Sequence, residues 1–141
     1  MTKASDGDWE VVHTVHDYHD APRSGIADFR GGPHAYACEW SEAEDGWSRF
    51  YKLSPITDEQ FAAAMEGRAI WRRWRTAHDA GTLGPGDEHP VLAADRPRFE
   101  ALRQQLDDAL KLDNSAAIRC TAKFRGNWDA PDDLHVQWSP R

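Results

Sequence analysis

WSRFYKLSPITDEQ, residues 47–60, contains the change of period on which the fold turns. Over its first seven residues Trp47, Arg49, Tyr51 and Leu53 alternate with Ser48, Phe50 and Lys52, the two-residue repeat of a strand. Thr57-Asp58-Glu59-Gln60 then spells a capping box, in which the Thr hydroxyl accepts from the amide three residues on and Gln60 reaches back. A strand gives way to a helix within a few residues, so one chain mixes both kinds of structure.

Upstream, the pattern is β throughout. In DWEVVHTVHDY (8–18) Trp9, Val11, His13 and Val15 share one parity, and Val12, Thr14, His16 and Tyr18 the other. HDAPRSG reads as a turn or loop with Pro22 and Gly25 as breakers. IADFR and HAYACEW follow, joined by Gly31-Gly32-Pro33; His34, Tyr36, Cys38 and Trp40 point to one face. The acidic loop SEAEDG leads into the opening stretch, and the four strands make an antiparallel meander.

Downstream, the first helix runs to about Asp79, where AGTLGPGDEHP breaks it. A second helix starts near Asp95 and carries Phe99, Leu102, Leu106, Ala109 and Leu110 on one stripe. Two strands close the chain, one with Ile118, Cys120, Ala122 and Phe124 in phase and one with Leu134, Val136 and Trp138, joined by the loop GNWDAPDD. The order β-β-β-β-α-α-β-β predicts a single α+β domain over residues 1–141: a mostly antiparallel sheet of about six strands with two helices packed on one face. Ile118, Cys120, Phe124 and Val136 are expected to share one core with Leu102 and Leu106, and residues 1–7 are expected to be disordered.

Composition narrows the function. Twenty-four acidic against 17 basic residues give a net charge of −7, which repels a phosphate backbone. Nucleic acid and anionic membranes are disfavoured, and basic or small polar partners are favoured. No apolar run approaches the roughly 20 residues that span a bilayer, and the first residues show no apolar signal core, so a cytoplasmic location is expected. Cys38 and Cys120 lack metal-site spacing and are expected as buried free thiols. Of the seven Trp, several should anchor the core and one or two should mark a binding surface.

Four groups of residues carry candidate chemistry. HTVHDYHD (13–20) crowds three histidines, but strand alternation puts His16 on the face opposite His13 and His19, so no metal is expected. His13 and Asp17 share a parity on which Asp could orient an imidazole as general base. With His34, on the same strand face as Cys38, they are the candidate catalytic residues, although residues four apart on a strand lie roughly 13 Å apart. In IWRRWRTAH, Arg68, Arg72 and Arg75 form a helical stripe with Trp71 at its margin, opposite Ile70, Trp74 and Ala77. That stripe is expected to be solvated and is a candidate partner surface, weakened by Asp79 four residues beyond Arg75. Asp87, Glu88 and His89 are the polar members of a long loop of the kind that often carries function. RGGPH joins two strands instead of opening a helix, so it is no phosphate loop, and no cofactor is expected. The reading favoured by charge and size is a protein-binding or accessory, neutralising-type module for a basic partner. A small-molecule enzyme using His13, Asp17 and His34 stands second, and a single-strand nucleic-acid binder using the arginine stripe third.

Overall fold

The computed structural model describes residues 7–130 and 133–141. The strands are β1 (Trp9–Tyr18), β2 (Pro22–Phe29), β3 (Gly32–Ser41), β4 (Gly46–Pro55), β5 (Ile118–Arg125) and β6 (His135–Pro140); the helices are α1 (Asp58–Ala80) and α2 (Arg96–Leu110). The chain is α+β and divides into two compact units, one built from the segments up to Thr57 and from Leu110 onward, the other from Asp58–Ala109. Most of the predicted disordered N-terminus lies outside the described residues. Gly7, its last residue, is tied down, with its amide donating to Trp138 O and its carbonyl accepting from the Gln137 side chain.

In the first unit every strand pairs antiparallel with the next, and β6 returns to β1 through Trp9↔Gln137, Glu10↔Val136 and Val11↔His135. The sheet therefore closes into a barrel in the order β1-β2-β3-β4-β5-β6. This corrects both the layered sheet with helices on one face and its strand arrangement. Closure removes the two unpaired edges an open sheet would expose. The inward parity also supplies enough volume to fill the interior: Phe29, Tyr36, Tyr51, Leu53, Val136 and Trp138 meet there with Val12, Cys38 and Cys120. Trp138 alone is 1% exposed, and burying a Trp takes roughly 150–250 Å² from water, worth about 4–6 kcal/mol before opposing terms.

Two irregularities depart from the alternation. Pro22 and Gly25 lie within β2 instead of in a loop. Gly25 sits so close to β1 that a Cβ there would clash with Thr14 O, and β1 shifts register on both sides of Thr14 and Val15. In β4, Cys38 faces Tyr51 but Trp40 faces Trp47, which leaves Ser48, Arg49 and Phe50 as a bulge. Arg49 is consequently exposed, away from the inward face it would share with Tyr51 and Leu53. The bulge stabilises itself: Ser48 Oγ accepts from Phe50 N at 3.1 Å, and Cys38 Sγ donates to Ser48 O at 3.1 Å. At the other hairpin, Arg30 and Gly31 have φ of 54° and 80°, the two left-handed positions of a type I′ turn. The Glu10 carboxylate accepts both of their amides at 3.0 and 2.8 Å.

The second unit packs α1 against α2 through Ala63, Ile70, Val91 and Leu102, with Phe99 and Leu106 beside them. Leu102 and Leu106 thus belong to a helical core, while Ile118, Cys120, Phe124 and Val136 belong to the barrel core, which corrects the single shared core. Helix α1 starts one residue after Thr57, where the capping box places it. Two bidentate ion pairs, Arg73–Asp95 and Arg98–Glu66, tie α1 to the short 3-10 turn Ala93–Asp95 and to α2; both are solvent-exposed, so they fix geometry more than they stabilise. No helix among the described residues is long and apolar enough to cross a membrane.

Candidate functional site

Successive connections of an antiparallel barrel alternate between its ends, so the β1–β2, β3–β4 and β5–β6 connections share one rim. Tyr18, Trp40 and Trp128, the large apolar side chains most exposed among the described residues at 39%, 50% and 45%, all stand at that rim. Each stands in a ring cluster rather than alone. Trp128 stacks on Tyr18 with ring centres 4.8 Å apart, His19 stacks on Trp47 at 6.1 Å, and Trp47 meets Trp40 edge-on at 5.3 Å. Tyr18 and His19 adjoin in the chain but differ in strand parity, so the rings form two clusters on the same rim, Trp128–Tyr18 and His19–Trp47–Trp40.

Local chemistry holds the His19–Trp47 cluster in place. Asp20, at φ 64°, reverses the chain after His19, and Arg23 Nε donates to His19 O at 2.9 Å. The Arg23 guanidinium lies 5.5 Å over the Trp47 ring and reaches Tyr51 Oη and Cys38 Sγ, each at 3.5 Å. Tyr51 in turn donates to Pro22 O at 2.6 Å. Burial, and next the neighbouring Cys38, push the Tyr51 phenol well above its ordinary range against the opposing pull of Arg23, so it stays a donor at any physiological pH. Around the rings the surface is acidic: the three connections carry Asp20, Glu42, Glu44, Asp45, Asp129 and Asp133 and no Lys or Arg.

The residues singled out in the sequence are placed separately. His13 Nε2 lies 2.9 Å from Asp28 Oδ1, Asp17 pairs with His19 at 3.2 Å, and His34 Nδ1 lies 2.8 Å from Gly32 O while its ring meets Phe29 edge-on. His13 and Asp17 therefore have different partners, and His34 is engaged by its own turn. Among the described residues no three His, Cys, Asp or Glu side chains gather as a metal-ligand set. Arg68, Arg72 and Arg75 are partly exposed, and Arg75, 36% exposed, pairs with Asp79 at 3.1 Å and lies 5.8 Å over Trp71. In the long loop Asp87 accepts from Gly84 N and Ala93 N at 2.8 and 2.7 Å, Glu88 bridges to Val91, and His89 meets Trp74 edge-on at 4.8 Å. These three residues bind their own loop and helix.

Trp40, Trp47, Trp128 and Glu44 were not singled out from the sequence. The signal was present: Trp40 and Trp47 bracket the acidic loop SEAEDG, and Trp128 lies inside a polar hairpin loop, positions where a large ring has little strand to bury it. No family model matches this chain, and comparison with curated proteins and with solved structures returns no match.

Proposed function

We propose that the chain is a protein-binding module whose acidic, aromatic rim engages a basic surface of a partner. The observation that carries this reading is the pair of exposed ring clusters on one rim, Trp128–Tyr18 and His19–Trp47–Trp40, whose connections carry carboxylates and no Lys or Arg. Exposed rings cost solvation unless something covers them, and aromatic anchors with a charged surround are the composition of an interface hot spot. The net charge of −7 favours a basic partner and speeds its encounter. The test is affinity capture from the native cell with wild type beside a Trp40→Ser/Trp128→Ser variant. Wild type should retain one basic protein at near-stoichiometric yield and the double variant should lose it. Retention of that protein by the double variant, or no retained protein at all, overturns the reading.

A further inference from the structure

We propose that the bulged flank of the barrel, reached from the rim through Trp40, is the pocket for an arginine side chain of the partner. The inference rests on the rim being a protein-binding surface and names the residue that anchors there. The open cleft has a volume of about 560 Å³ and is lined by Glu39, Trp40, Glu44, Arg49, Phe50 and Arg119 together with Ser41 and Ser48. That volume falls in the range that receives small ligands and anchoring side chains. At the β4 bulge Ser48–Phe50 stand opposite the single Glu39 across the β3–β4 ladder while Phe50 still pairs with Thr121 of β5, and bulges recur where a sheet re-aims side chains toward a site.

One half of the cleft already shows how a guanidinium is held. Arg119 lies 3.8 Å over the Phe50 ring, and its Nε and Nη2 reach the two Glu39 carboxylate oxygens at 2.9 and 3.5 Å. The other half offers the same two parts: the half-exposed Trp40 ring and the carboxylate of Glu44, which forms no ion pair among the described residues. Stacking on an indole combined with a fork onto a carboxylate suits the planar guanidinium better than a lysine ammonium. Arg49 completes the specificity. Its guanidinium lies 5.0 Å over Phe50, is exposed, and pairs with no carboxylate among the described residues. Glu39 and Glu44 balance Arg49 and Arg119, so the pocket favours an arginine accompanied by an acidic residue over a run of basic ones.

Titration of the Trp40 indole N–H resonance with acetyl-Arg-Glu-amide, acetyl-Lys-Glu-amide and acetyl-Arg-Arg-amide tests this. Acetyl-Arg-Glu-amide should shift the resonance at a several-fold lower concentration than either competitor. Glu44→Gln should weaken that response about tenfold, and Arg49→Gln should erase the preference over acetyl-Arg-Arg-amide; both side chains are exposed, so the fold is unaffected. No Trp40 response, or a response indifferent to Glu44→Gln, overturns the pocket. If capture of the partner survives Glu44→Gln but fails in Trp40→Ser/Trp128→Ser, the rim stands and the arginine pocket falls. If capture survives both, the rim reading falls, and the dipeptide titration still judges the cleft on its own.

Discussion

Cys38, Tyr51 and Cys120 lie on one cross-strand row, so the two cysteine Cα atoms are two strand spacings apart, roughly 10 Å, beyond the Cα separation of a disulfide. Both thiols are free. Cys120 is wholly buried, and that burial pushes its thiol up to about 11 against the pull of Arg30 and Arg141. Folding therefore favours the protonated thiol: this contribution is complete below the ordinary thiol range and is lost as the pH climbs toward about 11. Iodoacetamide at pH 8 should leave Cys120 unmodified until the protein unfolds, as read by mass spectrometry; rapid modification of the native protein would contradict its placement. At Gly25 the constraint is backbone contact. Gly25→Ala should cost at least about 3 kcal/mol in a denaturant melt, because the new Cβ meets Thr14 O instead of a side chain that can move aside. Single residues such as these were only partly legible. That Cys38 and Cys120 avoid metal-like spacing is visible in the sequence, but Gly25 reads as a breaker because its reason for being glycine is a neighbouring strand.

At the scale of elements, the helices were the clearest. A capping box and an apolar stripe specify the start and rotation of α1, and Trp74, 8% exposed, lies with Ile70 on the buried face the wheel assigns. Trp74→Ala should cost about 3–5 kcal/mol, and Leu102→Ala, at 2% exposure, about 2–5 kcal/mol, by thermal or chemical melts; a variant as stable as wild type would show the helix to be rotated. The connection between the helices was opaque, because Asp87 bonds backbone amides that no sequence pattern announces. Those amides, Ala93 first and Gly84 second, hold the Asp87 carboxyl below its ordinary range. Its contribution is therefore present above the ordinary Asp value of about 3.9 and is lost as the pH falls through the lower folded value. A carboxyl NMR titration should give Asp87 a midpoint below that of a free Asp, abolishing the downfield shift of the Ala93 amide at the same pH. The β4 bulge was likewise hidden, since Trp47, Arg49, Tyr51 and Leu53 alternate without a break.

For the molecule as a whole, parity says which face of each strand is buried but not what covers it. The inward residues read equally well as a layer awaiting helices or as the lining of a barrel, and only the pairing of β6 with β1 decides between them. The rim could be read in part: HDYHD, SEAEDG and GNWDAPDD each place an aromatic ring in or beside an acidic connection, but their convergence depends on closure. The helical unit shows the opposite case, an arginine stripe prominent in the sequence whose side chains are only partly exposed, with Arg75 paired to Asp79. The two surfaces give the central claim a direct test: hydroxyl-radical footprinting of the protein alone and with its captured partner. Tyr18, Trp40 and Trp128 should lose most of their oxidation in the complex while Trp71 keeps its own. Protection of Trp71 with the rim rings still oxidised would move the binding surface to the helical unit and contradict the account.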